Sequence, residues 1–452
     1  MDFEKIIKTA SAKGYEIEIF YQKIIASTVN INNHKIHSVD NVESAGLGIR
    51  ALVDNRIGFA FTAETTQKAI EQCLGAAVRS AKHGKEIKNF AFPSKGKFSD
   101  GGITVSRKIK DLTPGEAIEH VGECLDAVKS VNKDVFVCEG HFGYGIEEIT
   151  IANTTGLFAE HKSSACGISI FVAYPTPESV CVGFEETEST DMDFSFTEIG
   201  KNAATMAVMG KDPGKLESGK KNVILVPHAA RSIIESTLVG MLQGHHAMRG
   251  ESMFAGKIDK QIMNEKIQIA DNGLIERSLT SAPFDDEGTP SQNTLLVKDG
   301  ILKNFIFDIY SAAEYGQKTT GNGVRSMRLS AGRTYKSVPS PNFRNFVISG
   351  ETGGYDELLR EFAPCIVIYS VLGAHTANSI TGNFAVNIPI VFEYANGEFH
   401  PRKQGMLSGN IVDYLSRNIY FTKEKRMLYG TFTPTTYVMP YILIPDAQIT
   451  GS

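Results

Sequence analysis

Runs in which apolar and polar residues alternate with period two recur through the first half of the chain and set the strongest limit on its fold. Residues 16–21, 27–36, 46–54 and 56–62 show this pattern, which belongs to strands with one buried face. A tight hairpin is predicted at the Asn55-Arg56 step, between two such runs. Four further runs, at 135–143, 147–153, 156–173 and 179–186, are separated by Asn153-Thr-Thr-Gly156 and Pro175-Thr-Pro177, so an antiparallel meander is expected. An acidic turn is read over 186–193. Helical spacing interleaves with the strands over 3–12, 64–82 with Thr62 as N-cap, 114–130 behind Thr113 and Pro114, and around 196–209.

The expected class is α+β, with an N-terminal α/β domain carrying the antiparallel meander and a C-terminal strand-rich domain. A chain of 452 residues, 42% hydrophobic, can build more than one core. The main boundary falls in 211–221, where Pro, two glycines and four lysines show no apolar periodicity. The domains are therefore read as 1–215 and 220–452, with a sub-boundary in the Pro/Ser/Gly/Lys-rich connector 92–113. Beyond the boundary a short buried-type strand at 222–226 leads into a helix over 228–242. Strands and Gly/Asn turns dominate from about 260 onward, with helices near 309–315, 355–362 and 411–416. No repeat of 20–50 residues is visible.

Charge and hydropathy exclude several functions. Lys and Arg number 46 against 51 Asp and Glu, a net charge of −5, so the chain lacks the basic excess that direct nucleic-acid binding draws on. The most apolar stretch, 365–374, has about half the length of a membrane span. The N-terminus carries Asp2 and Glu4 and has no apolar core, so a cytoplasmic protein is expected, with no membrane partner. The six cysteines form no CxxC pair and read as isolated thiols in a reducing compartment.

Candidate chemistry is sparse. A hydrolytic zinc helix needs two histidines on adjacent turns and a glutamate beside the first, yet no His-Glu dipeptide occurs. His245-His246 points its rings about 100° apart on a helix, and His34 and His37 fall on opposite faces of an extended segment. Asp285, Asp286 and Glu287 form the densest acidic cluster, either a cation or cleft site or a hydrogen-bonded turn. The glycines at 46, 48, 321 and 323 do not make a phosphate loop and read as hairpin or bulge positions. No GxSxG elbow is present. His375, with Asn378 and Thr381, lies in a polar loop after an apolar strand and is a candidate for a cleft or substrate contact.

Four stretches, GLGIRALVDNRIGFAFT (46–62), PFDDEGTPSQNTLLVKDGILKNFIFD (283–308), KTTGNGVR (318–325) and TANSITGNFAVNIPIVFEYANGEF (376–399), resemble the TldD/PmbA family across essentially the whole chain. TldD-type members of that family look like zinc metalloproteases with an HExxxH helix, whereas PmbA-type members, also called TldE, lack it. Anchoring on LQG and RGES (242–252) sets Glu235, Ser236 and Gly240 at the His, Glu and His positions, and no shift of register recovers a His-Glu pair. The helix has its own logic, because Ala230, Ile233, Ile234, Thr237, Leu238 and Met241 share one apolar face.

The resemblance implies a TldE/PmbA-like subunit, inactive by itself, without catalytic residues, metal ligands or a cofactor of its own. Zinc is expected in a TldD-type partner, and the heterodimer would cleave unfolded or extended peptides. Two alternatives stay open: a homodimeric binding or scaffold protein, and a hydrolase with a site near Asp285–Glu287 or His375. The family label modulator of DNA gyrase implies, at most, an indirect relation to nucleic acid.

Overall fold

Two long hairpins lie side by side in the first half of the molecule. The structure is a computed structural model and describes residues 2–99, 105–177, 179–327 and 332–451. Strand β1 (Glu16–Asn32) turns at Asn33-His34 into β2 (Lys35–Val53), which turns at Asp54-Asn55 into β3 (Arg56–Thr62). All four turn residues have φ between 49° and 58°, the left-handed pair that a two-residue hairpin requires and that Asn and Asp tolerate best. The expected run 16–21 and most of 27–36 are thus one strand ending at Asn32, with residues 33–36 forming the turn and the start of β2, and the second turn sits one residue before Asn55-Arg56.

The same fusion occurs downstream. Runs 135–143 and 147–153 are one strand, β4 (Phe136–Asn153), followed by β5 (Phe158–Pro175) and β6 (Val180–Ser189). The acidic stretch expected as a turn extends β6 through Ser189 before it bends. Strands β1 and β4 pair antiparallel from Glu18↔Asn153 to Asn32↔Glu139, and this joins everything into one six-stranded sheet of order β3-β2-β1-β4-β5-β6.

Helices cover one face of that sheet. α1 (Phe3–Ala12) and α2 (Gln67–Ala81) pack on the β1–β3 half. A single turn, α3 (Arg107–Lys110), precedes α4 (Pro114–Val131), which packs with α5 (Phe196–Met209) on the β4–β6 half. A helix, three strands and a helix therefore occur twice, a duplication that shows in element order but not as sequence periodicity. α2 starts later than expected because Thr66, not Thr62, caps it, its Oγ1 accepting the Ala69 amide at 3.3 Å. Thr113 and Glu116 close a capping box on α4.

In the second half, β7 (Gly219–Leu225) pairs in parallel with Cys365–Leu372. Antiparallel pairing then continues through Asn383–Ala395, Gly405–Asn410 and Thr436–Gly451, and the last of these pairs back onto β7. The ring is closed, which removes its edges. A wing of Gln268–Asn272, Asn293–Lys298, Ile301–Leu302 and Asn345–Ser349 joins it where Asn345↔Thr436 run parallel. No helix among the described residues is long and apolar enough to cross a membrane.

The expected linkers are packed. Residues 100–104 of the connector lie outside the described residues, but Phe90 and Phe92 on its approach are buried edge to face at 5.2 Å. Asn153 donates to the Pro93 carbonyl at 2.8 Å. In the 211–221 segment Leu216 is buried and the Gly214 amide donates to Pro401 at 3.0 Å.

What docks the halves is a set of buried ions on the helix-free face of the sheet. Glu18 of β1 takes Arg50 of β2 in a two-point fork, Nε to Oε1 at 2.9 Å and Nη2 to Oε2 at 2.6 Å. Arg50 Nη1 reaches Glu287 Oε1 at 2.7 Å, and Arg325 Nη2 reaches Glu18 Oε1 at 2.7 Å. Burial alone would lower Arg50, but Glu18 and Glu287 reverse that and raise it. Burial brings Arg325 down to about 10 against the pull of Glu18, which leaves it charged at neutral pH. Replacing Glu18 by alanine strands two buried guanidinium groups. It is expected to cost about 3–5 kcal/mol of unfolding free energy in urea titration, and Glu18→Gln, which keeps the shape and some hydrogen bonding, is expected to cost less.

Candidate functional site

Helix α6 (Pro227–Thr237) begins as β7 leaves the ring, with Val226 extended at the N-cap and Pro227 at the first position. Ala229, Ala230, Ile233, Ile234 and Thr237 are buried. The helix ends at Thr237, short of the expected 242. Leu238 and Met241 keep their core positions, but Gly240 belongs to a separate 3-10 turn, Gly240–Leu242.

A polar stripe of His228, Arg231 and Glu235 occupies another side of α6. The His228 Nδ1 and Glu186 Oε1 lie 3.0 Å apart, and Arg231 Nη2 donates to the same oxygen at 2.8 Å. Glu185 accepts Arg426 Nη2 at 2.9 Å. Burial opposes the charge on His228, Glu185 and Glu186, but each outweighs it through the others: the histidine is raised, and the two carboxyls are lowered. This ion cluster ties β6 of the first half to α6 of the second.

Glu235 is fully committed. Its Oε2 accepts the Thr431 amide at 3.0 Å, and its Oε1 accepts the amides of Phe432 at 2.9 Å and Thr433 at 3.0 Å, together with Thr433 Oγ1 at 2.9 Å. The carboxylate thus acts as the anchor of the 431–433 loop. Ser236 Oγ is buried with no hydrogen-bond partner. At the three HExxxH positions, then, the carboxylate accepts three loop amides and a hydroxyl, the Ser236 hydroxyl is no general base, and the glycine, off the helix, offers no ligand. These residues do not fit a catalytic zinc. Among the described residues no three His, Cys, Asp or Glu side chains converge as a metal site.

The remaining candidates separate into two places. His375 is exposed in the turn Ala374–Thr376, its ring 6.0 Å from that of Phe432, inside the loop that Glu235 anchors. Asn378 Oδ1 accepts the amides of Ile380 and Thr381 at 2.9 Å, and the Thr381 carbonyl accepts Asn410 Nδ2 at 2.6 Å. A Cβ on Gly240 would lie 3.6 Å from Ser379. The structure therefore brings the His375–Thr381 loop against the end of α6, with Asn378 spent on holding the loop's shape.

Asp285, Asp286 and Glu287 lie elsewhere, at the junction of the two halves, each no more than 2% exposed. They line no cleft. Asp285 holds the amides of Glu287, Thr289 and Gly323, and Asp286 Oδ2 takes the Arg325 amide at 2.7 Å. Glu287 accepts the Ile309 amide at 2.7 Å besides Arg50. Burial pushes Asp285 up to about 7 despite its three amide donors. Gly46 and Gly323 are close-approach positions rather than hairpin or bulge residues: a Cβ at Gly46 would overlap the Tyr335 ring, and one at Gly323 would overlap Glu287, whereas Gly321, at a φ of 71°, is a turn glycine.

Fold and site together define a class: a mixed α+β molecule with the helix position of a metallopeptidase but not its ligands. The matching family descriptions are PmbA/TldA metallopeptidase domain 1 over residues 17–81, the central domain over 107–211 and the C-terminal domain over 218–451. The chain belongs to this PmbA/TldD family, on its PmbA/TldE side. It is 29% identical to an uncharacterized protein of Methanocaldococcus jannaschii, over 93% of this chain and 94% of that one. It is 24% identical to the metalloprotease PmbA of Escherichia coli O157:H7, over 98% and 94%. Its fold matches TldE from Thermococcus kodakarensis with a TM-score of 0.90, at 22% identity and full coverage of both chains. A Thermotoga maritima protein described as a candidate modulator of a DNA gyrase matches at 0.86, with 22% identity and 99% of each chain covered.

Removing the Glu235 carboxylate leaves three loop amides without an acceptor. Glu235→Ala is expected to lower stability by about 3 kcal/mol or more in urea titration. Ser236→Ala removes only an unpartnered buried hydroxyl and is expected to be neutral or slightly stabilising.

Proposed function

We propose that this chain is the non-catalytic subunit of a two-component peptidase. A TldD-type partner carries the HExxxH helix and its zinc and cleaves unfolded or extended peptides, while this chain supplies wall and substrate contacts. The observation that carries the reading is Glu235: the side chain standing where a metal-binding histidine would stand is used up as a loop anchor. Membership of a metallopeptidase family supports the assembly, and the fold match to TldE supports the subunit assignment. The net charge of −5 favours a peptide over nucleic acid as the ligand.

The test uses the purified full-length chain, alone and co-expressed with a TldD-type chain. Alone, it is expected to carry well under one zinc per chain by elemental analysis and to show no chelator-sensitive hydrolysis of unfolded protein. With the partner, it is expected to co-elute on sizing, and cleavage is expected to depend on both chains. Stoichiometric zinc or chelator-sensitive turnover in the isolated chain overturns the proposal, as does a mixture that neither associates nor gains activity.

A further inference from the structure

Beside the buried ions, the helix-free face of the six-stranded sheet is left open as the floor of a cleft of about 540 Å³, a size ordinary for ligand sites. The floor is made of small residues in cross-strand register: Thr28↔Gly143↔Gly167 in one row and Ala26↔Gly145↔Ala165 in the next. One wall is β6, with Glu186 and Glu188. The other comes from the second half of the chain and includes Thr280, Arg333 and Tyr429.

The carboxylates of this cleft differ in one respect. Glu147 accepts Gln22 Nε2 at 2.6 Å and pairs with Arg333 at 3.3 Å. Glu186 is taken by His228 and Arg231. Glu188 receives the Tyr429 backbone amide, yet its Oε2 is buried and has no hydrogen-bond partner. Gly167 lets this side chain lie across the sheet, since a Cβ there would come within 3.0 Å of Glu188 Cγ. Burial first, and the neighbouring Glu186 second, push the Glu188 carboxyl up to about 7. An orphaned carboxylate oxygen in a walled cleft is costly, and a cationic donor placed on it relieves that cost.

We propose that this cleft binds an extended peptide through a primary ammonium group seated on Glu188. A single unfilled oxygen suits the compact ammonium, whereas a guanidinium fork asks for two. One carboxylate whose neighbour, Glu186, is already held by His228 and Arg231 is also too little for a metal ion. The ammonium is either the α-amino end of the peptide or a lysine side chain. The inference rests on the subunit reading above only in taking the ligand to be a peptide; the described lining of the cleft, with its carboxylate, belongs to this chain alone.

The test is calorimetric titration of the full-length chain with four probes: tetra-alanine with its C-terminus amidated, the same peptide N-acetylated, and that acetylated amide with one internal lysine or one internal arginine. Binding of tetra-alanine that acetylation weakens by about tenfold or more assigns the α-amino end. Binding of the lysine probe alone assigns the side chain. In either case Glu188→Gln is expected to weaken binding by about tenfold or more. Gly143→Val is expected to weaken it by filling the floor, since a Cβ at Gly143 meets only Thr28 Oγ1, at 3.8 Å, and the fold can accept it. Absence of binding by every probe, equal binding of the uncharged probe, an arginine probe as tight as the lysine one, or an unchanged Glu188→Gln variant overturns the proposal. Zinc content and co-elution with a partner are separate readouts, so failure here is distinguishable from failure of the subunit assignment.

Discussion

Glu18, Arg50, Glu287 and Arg325 meet without access to water, and the relation between the two halves of the molecule depends on that meeting. Taking such ions out of water costs more than a loose pair returns, so burial is tolerated only where geometry is close and the remaining lone pairs are filled. Here the fork between Arg50 and Glu18 is two-pointed, and Glu287 spends its second oxygen on the Ile309 amide. Two of the four ions come from adjacent strands of the N-terminal sheet and two from loops of the C-terminal domain. The set is therefore satisfied only when the halves are docked, which fixes which part of the sheet is covered and which part is left open as the cleft floor.

The same economy governs α6. Its apolar side packs into the ring domain, and its polar side holds two things in place: β6 through His228 and Arg231, and the 431–433 loop through Glu235. The helix therefore joins three parts of the molecule: the ring domain, β6 and the 431–433 loop. The donors around Glu235 give this carboxylate a different use, because it already accepts three amides and a hydroxyl of the 431–433 loop.

Much of the fold was legible along the chain. Period-two runs marked the strands, and α1, α5 and the helices at 309–315 and 411–416 fall where their spacing places them. Thr113 and Pro114 marked the start of α4. The differences have separate causes. Ile24, Ala26 and residues 144–146 line a cleft rather than a uniform core, which breaks strict alternation in the middle of two continuous strands. Thr62 and Thr66 are both plausible caps, and which hydroxyl reaches an amide depends on where β3 releases the chain. The cleft is not legible in the sequence: Glu186 and Glu188 stand in an acidic run with the pattern of a turn, and the residues that face them, Thr280, Arg333 and Tyr429, come from far along the chain.

By itself the sequence determined that no His-Glu dipeptide occurs and which family the chain belongs to. No register yields a His-Glu pair, and the DDEGTPSQ block with its companions carries the resemblance. Tertiary structure alone decided what the carboxylates do. Three consecutive acids at 285–287 are, in composition, a solvated turn or a cation site, and they became a buried junction because Arg50 and Arg325 arrive from distant segments. Local sequence fixes a residue's charge and backbone preference; whether that charge meets water, a guanidinium or a row of amides depends on contacts hundreds of residues apart, which only the assembled fold supplies.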